Sequence, residues 1–170
     1  MGHSNLCTKR KLESYKACIE TKLLYGLHTA CLSTGERRRL DGFQAKCLRK
    51  VVGIAHSYYS RVSNKDVLNI AGHQKAPSIL ADQQVSLFGR SLRASPQSQW
   101  HASAFIRGTV QPATSRYVRR VGRPRREWAT AVIQEARSRA PPQDIFQLAQ
   151  NGKQWHQAMH SRYRVSSSLQ

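Results

Sequence analysis

The sequence STGERRRLDGFQAKCLRKVVG, residues 33–53, predicts one long amphipathic helix. Ser33 and Glu36 have the spacing of a capping box, in which each side chain accepts a hydrogen bond from the other residue's backbone N–H. Gly53 is the residue type that most readily ends a helix in a left-handed conformation. Apolar residues recur every three or four positions and are expected to face inward: they are Leu40, Phe43, Cys47, Leu48 and Val51.

The outer face of this helix is basic. Its cations are Arg37, Arg38, Lys46, Arg49 and Lys50. One interpretation is a solvated helix face, which is the common role of a run of charge. The other is a surface that contacts phosphates, and the excess of cations over acids on that side favours it.

The rest of the chain also has helical periodicity, so we expect an all-α fold. The segment from Thr8 to Leu24 predicts a helix whose inward face holds Leu12, Tyr15, Ile19 and Leu23. Two more helices are expected over 63–72 and 78–94. The later helical segments carry apolar residues at Trp128, Val132, Ile133, Ile145, Phe146, Leu148, Trp155 and Met159.

These patterns predict a small helical bundle, then a basic linker, then further C-terminal helices. Residues 95–122 mix Ser, Gln, Thr, Pro and Gly, a composition typical of a linker or irregular arm. The expected organisation is a disordered N-terminus (1–8), a helical bundle (9–94), a linker (95–122), a C-terminal helical region (123–163) and a disordered tail (164–170).

The net charge indicates the class of partner. The 170 residues include 28 Lys and Arg but only 9 Asp and Glu, which gives a formal charge of +19. The positive charges repel one another and disfavour a compact state. An excess of this size is typical of proteins with a polyanionic partner, nucleic acid above all. A membrane partner is not expected, because no predicted helix has an apolar face rich enough to insert. Oligomeric state stays open.

No secretory or transmembrane pattern is present, and four separated cysteines indicate reduced thiols. We therefore expect an intracellular protein, nuclear or cytoplasmic, that is not secreted.

Groups for catalysis or metal binding are sparse. The carboxylates are scattered, and no phosphate-binding loop or nucleophile motif occurs, so we expect no enzyme activity, small-molecule substrate, cofactor or metal. His156 and His160 share a helix face, but Gln157 stands where a metalloprotease has its catalytic Glu, so two surface histidines are the simpler interpretation. Another conceivable zinc site lacks the paired, closely spaced ligands of structural zinc sites. Its members are His28, Cys31, Cys47 and His56.

A second basic segment, RYVRRVGRPRR, occupies residues 116–126. Its arginines are Arg116, Arg119, Arg120, Arg123, Arg125 and Arg126. Gly122-Arg123-Pro124 resembles the core of an AT-hook, which inserts Arg into the minor groove, although Val121 stands where that core has Arg. The alternative is a basic start to a helix at Pro124. Trp128 and Trp155 could stack on bases, but their aliphatic neighbours favour a core position.

In their order and spacing, several motifs are similar to LINE-type (non-LTR) retrotransposon reverse transcriptases, in the region that follows the catalytic palm. The motifs are LYG (24–26), ERRRLDGFQ (36–44), CLRKVVGI (47–54), RVSNKDVL (61–68), LFGRSLR (87–93), GRPRREW (122–128) and Trp155. The resemblance covers about residues 9–160.

The resemblance implies a thumb-like helical bundle, residues 9 to about 72, that grips the primer–template duplex, and a basic C-terminal region that handles template RNA or target DNA. Phosphate contacts would come from Arg37, Arg38, Arg49 and Lys50. Arg123, Arg125 and Arg126 would anchor the C-terminal arm. The metal-binding Asp pair of the palm has no counterpart here, so the resemblance implies a fragment that binds nucleic acid without polymerising it.

The leading hypothesis is therefore a non-catalytic, nucleic-acid-binding C-terminal fragment of a retrotransposon reverse transcriptase, contacting RNA, DNA or an RNA–DNA hybrid. The alternatives are an AT-hook-like or general basic DNA-binding protein of chromatin, a metal-dependent nuclease using His156 and His160, and a degenerate element product without selected function.

Overall fold

The computed structural model describes residues 6–106, 127–140 and 145–160. Within these ranges 78% of residues are helical and none forms a strand, which confirms the all-α prediction. The helices are α1 (Thr8–Ser14), a π-helical turn (Tyr15–Glu20), α2 (Thr21–Leu24), a 3-10 turn (Leu27–Thr29), α3 (Thr34–Val52), α4 (Ser57–Ser60), α5 (Asn64–Ala71), α6 (Ala76–Arg93), α7 (Gln99–Ala104), α8 (Trp128–Arg139), α9 (Ile145–Gln150) and α10 (Gly152–His160).

The chain forms two compact units. Unit 1 comprises Met1–Leu27 and Leu32–Leu80, and unit 2 comprises His28–Cys31 and Ala81–Gln170. Much of the predicted disordered ends (1–8 and 164–170) and of the predicted linker lies outside the described residues, and the predicted domain boundaries stay predictions.

Helix α3 begins and ends where the sequence predicts. The Glu36 N–H donates to Ser33 Oγ over 3.3 Å, and the Ser33 N–H donates to Glu36 Oε2 over 2.6 Å, so both bonds of the capping box form. The hydrogen bond that the Glu36 carboxylate accepts from the Ser33 backbone, with a smaller contribution from the Ser33 side chain, holds the pKa of Glu36 below its ordinary value. Gly53 ends the helix with a φ of 80°, in the left-handed region.

The buried face of α3 differs from the predicted one at Phe43. Its side chain is 45% exposed, so the prediction that it faces inward is wrong. Gln44, four residues before the buried Leu48, lies inward instead. Its amide donates to the Gln74 carbonyl and accepts from the Ala76 N–H, each over 2.7 Å. A polar residue occupies this core position because the turn before α6 presents backbone groups that need partners.

The π-helical turn shifts the inward face of the first helical segment. A π turn adds one residue to the α-helical repeat, so the buried positions are Tyr15, Glu20 and Leu24, with spacings of five and four. Ile19 is 40% exposed, and its predicted inward position is wrong. Glu20 is buried in its place, with Oε2 3.6 Å from His73 Nε2.

The core of unit 1 forms where α3 packs against α1 and α5. Its fully buried centre is Leu48 and Val67, with Tyr15 on the α1 side. Burial raises the pKa of Tyr15 to about 12, with a smaller contribution from the Glu20 charge. The predicted helix over 63–72 is confirmed, since Ser63 caps α5 and Gly72 ends it.

The core of unit 2 contains a cluster of aromatic rings centred on Phe88. Phe88 has ring centroids of three other aromatic residues within 6.5 Å, and these are Phe105, Trp128 and Trp155. The Trp155 indole N–H donates to the Val85 carbonyl over 3.2 Å, and that of Trp128 donates to the His28 carbonyl over 2.8 Å. The preference for a core position is confirmed for Trp155, which is buried, whereas Trp128 is half-buried and packs against the same core.

Part of the predicted linker is structured. Residues 99–104 form α7, capped by Ser98 Oγ, which accepts from the His101 N–H over 3.2 Å. Phe105, which follows α7, is fully buried against Phe88. The prediction of an irregular segment is wrong here. Ala104 and Phe105 are apolar residues in a polar stretch, and their burial in the core of unit 2 holds the short helix in place.

Candidate nucleic-acid interface

Three exposed cations lie on one face of α3: Arg39, Lys46 and Lys50, here called the α3 basic stripe. Phe43 lies between them, and the successive spacings of four, three and four residues place all four side chains on the same side of the helix. The only acid of α3 after Glu36 is Asp41, which is half-buried. The stripe therefore presents closely spaced positive charge without an intervening carboxylate.

Of the five cations predicted on the outer face of α3, three are exposed, one is half-buried and one is buried. Arg38, Lys46 and Lys50 are exposed, as predicted. Arg37 is half-buried, and its Nε is buried. Arg39 was not singled out from the sequence, although its spacing of seven from Lys46 and eleven from Lys50 is the signal that places it on the stripe.

Arg49 contradicts its prediction as an outward-facing cation, because it is only 5% exposed. Its guanidinium donates to four acceptors in the segment that follows α3: the Ala55 and Val62 carbonyls, Ser60 Oγ and Asn64 Oδ1. The rigid fork of donors in Arg suits this task. Since these donors are engaged within unit 1, Arg49 positions the segment between α3 and α5 and does not belong to the exposed surface.

That segment carries two exposed aromatic residues on α4. Tyr58 is 81% exposed and Tyr59 is 79% exposed. Their rings meet edge to face, with centroids 5.3 Å apart and planes at 89°. The helix is capped by His56 Nδ1, which accepts from the Tyr58 N–H over 3.3 Å, and ends at Arg61, which has a φ of 53°.

Several carboxylates are engaged within the fold. Glu36 and Asp66 take part in helix caps with Ser33 and Ser63. Asp82 and Glu135 both bind the guanidinium of Arg139 in unit 2. Burial alone would lower the pKa of Arg139, but hydrogen bonds to these two carboxylates and their charges raise it overall.

The histidine pair of α10 has the geometry of two neighbouring helix residues. The ring centroids of His156 and His160 are 4.4 Å apart, and burial lowers the pKa of His160. In the part of the chain that the structure describes, no group of three or more His, Cys, Asp or Glu is placed to hold a metal ion, and all four cysteines are free thiols.

No helix within the described ranges is long and apolar enough to cross a membrane. The six arginines predicted to bind nucleic acid in the second basic segment lie outside the described residues; they are Arg116, Arg119, Arg120, Arg123, Arg125 and Arg126.

Comparison of the chain with models of protein families, with curated proteins and with solved structures finds no match.

Proposed function

We propose that the protein is a non-catalytic nucleic-acid-binding fragment from the C-terminal region of a LINE-type retrotransposon reverse transcriptase. The observation that carries the binding role is the α3 basic stripe, in which Arg39, Lys46 and Lys50 are exposed on one helix face. Like charges held this close repel one another in the free protein, and phosphates relieve that repulsion. Binding also releases the counterions that are condensed on the nucleic acid, because the Lys and Arg side chains replace them. The ordered motifs of the chain support the origin of the fragment.

Binding is expected to be governed by phosphate contacts, with little dependence on base sequence. Affinity falls as salt rises, and removing three contacts should make the slope of log affinity against log salt less steep by about 2 to 3. It should also weaken binding roughly 50- to 150-fold at physiological salt. The variant Arg39→Gln/Lys46→Gln/Lys50→Gln tests this, titrated against a fluorescent RNA–DNA hybrid at several salt concentrations.

The matched control removes one Arg and two Lys that are exposed elsewhere: Arg90→Gln/Lys65→Gln/Lys75→Gln. It carries the same net charge as the stripe variant, so any difference between the two reports on position. Equal slopes for the two triple variants, or wild-type affinity that does not change with salt, would contradict the stripe as the binding surface.

A second candidate is an AT-rich DNA binder, favoured by Gly122-Arg123-Pro124. It predicts that AT-rich duplex competes better than GC-rich duplex of equal length, whereas phosphate contacts predict equal competition. Replacing Arg123, Arg125 and Arg126 with Ala, and measuring the salt slope again, shows whether the second basic segment adds contacts.

A further inference from the structure

The exposed tyrosines of α4 have a geometry that selects one form of nucleic acid. Tyr58 and Tyr59 are adjacent in the chain, are each about four-fifths exposed, and have nearly perpendicular ring planes. One flat ligand cannot lie on both rings at once. Each ring offers a face to a separate base, and the two bases must be tilted relative to each other.

A duplex cannot supply such bases, because its neighbouring base pairs are parallel and cover one another. A single strand can, since its bases unstack at modest cost and turn individually onto aromatic side chains. The perpendicular arrangement thus favours single strands over duplexes.

The segment 55–62 carries these rings and is here called the platform. Hydrogen bonds within unit 1 hold it in place. The buried Arg49 guanidinium binds the Ala55 and Val62 carbonyls, on either side of α4. Ser60 Oγ donates to the Ala55 and His56 carbonyls over 3.1 and 3.2 Å. A surface already fixed in this way loses little conformational entropy when a ligand binds.

Positive charge lies on both sides of α4 in the chain. Lys46 and Lys50 are in the last two turns of α3, and Arg61 directly follows α4; all three are exposed. The residues flanking the tyrosines are polar, namely Ser57 and Ser60. An aromatic pair flanked in the chain by two serines, with cations before and after, matches a ligand with flat bases and a charged backbone rather than an apolar protein surface or a lipid.

We infer that Tyr58 and Tyr59 stack on two bases of a single-stranded nucleic acid whose phosphates contact Lys46, Lys50 and Arg61. The inference rests on the proposed function and names the form of nucleic acid that this surface prefers. It applies to RNA and DNA alike, because the rings contact base faces and not the sugar.

The test compares a DNA strand of about 12 nucleotides, within the range of known single-strand site sizes, with an abasic strand of the same length. Both strands have the same phosphates, so the ratio of their affinities isolates stacking. A stacked base contributes roughly a 5- to 150-fold gain in affinity, and wild-type protein is expected to prefer the base-bearing strand by at least that factor. Oligouridylate and its abasic counterpart repeat the comparison for RNA.

The variants separate stacking from charge. Tyr58→Ala/Tyr59→Ala should lose the preference for the base-bearing strand and keep the wild-type salt slope, whereas Tyr58→Phe/Tyr59→Phe should keep both. Since both rings are on the surface, circular dichroism should show unchanged folding. Preference retained by the Ala variant, or absent in the wild type, overturns the inference. Loss of the salt slope in wild-type protein would instead overturn the proposed function.

Discussion

The substitution Gly89→Ala tests how closely α6 and α10 pack in unit 2. Gly89 is buried within α6, and a Cβ atom added there would lie 2.7 Å from both Cδ1 and Cε2 of the Trp155 indole. Ordinary contacts between carbon atoms are 3.5–4.0 Å, roughly. Trp155 is 2% exposed and packs on Phe88, so its ring has no free space to move into.

The expected change in stability has three parts, one favourable and two unfavourable. Ala is the better helix former and stabilises by about 1 kcal/mol. Overpacking against the indole destabilises by about 1–3 kcal/mol. Displacement of Trp155 also breaks the hydrogen bond to the Val85 carbonyl and leaves a buried N–H without a partner, which costs about 1–3 kcal/mol more. The net loss is therefore about 1–5 kcal/mol, or a decrease in Tm of at least roughly 4 °C for a unit of this size.

Intrinsic fluorescence is the suitable assay, because all three tryptophans of the chain belong to unit 2: Trp100, Trp128 and Trp155. The control is Gly42→Ala in α3, where a new Cβ has no atom within 4 Å. This variant should raise the stability of unit 1 by about 0.5–1 kcal/mol. Unfolding monitored by circular dichroism measures the change. If Gly89→Ala is as stable as wild type or more so, Trp155 does not cover Gly89 and the reasoning is refuted.

Two further outcomes are expected in unit 1. Arg49→Lys should lower its free energy of unfolding by about 2–4 kcal/mol in urea titrations, since a single ammonium cannot reach four acceptors, and it should weaken the preference for base-bearing strands; wild-type stability would show that these hydrogen bonds contribute nothing. Burial of Tyr15 raises its pKa from 10.0 to about 12, so its contribution to stability is fully present below pH 10 and is lost as the pH rises through about 12. Comparison of phenolate absorbance between wild type and Tyr15→Phe should reveal one group with that midpoint, and a difference spectrum centred near pH 10 would contradict the burial.

Local signals were sufficient to predict the ends of α3 and α5. The caps at Ser33, Gly53, Ser63 and Gly72 use only residues a few positions apart, so the sequence contains the whole interaction. The inward faces were harder to predict, because one π turn shifts every position after it and exchanges Ile19 for Glu20.

The candidate nucleic-acid interface could also be predicted only in part from the sequence. Spacing alone places Lys46 and Lys50 on one face, and it also indicates Arg39. It could not show that Arg49 is buried, because its acceptors come from a segment whose path depends on tertiary structure. Gln44 is a similar case, since its partners lie about thirty residues away in the chain.

The placement of the carboxylates affects how the molecule behaves as a polyelectrolyte. Glu20 is buried, Glu36 and Asp66 are in caps, and Asp82 and Glu135 bind Arg139, while the whole chain has 28 Lys and Arg against only 9 Asp and Glu. In dilute buffer such a polycation should form dense complexes with nucleic acid from the expressing cells and elute from heparin only at high ionic strength. The fold thus uses five of its nine acids in internal contacts, and the excess positive charge of the chain is neutralised by ions of the surrounding solution.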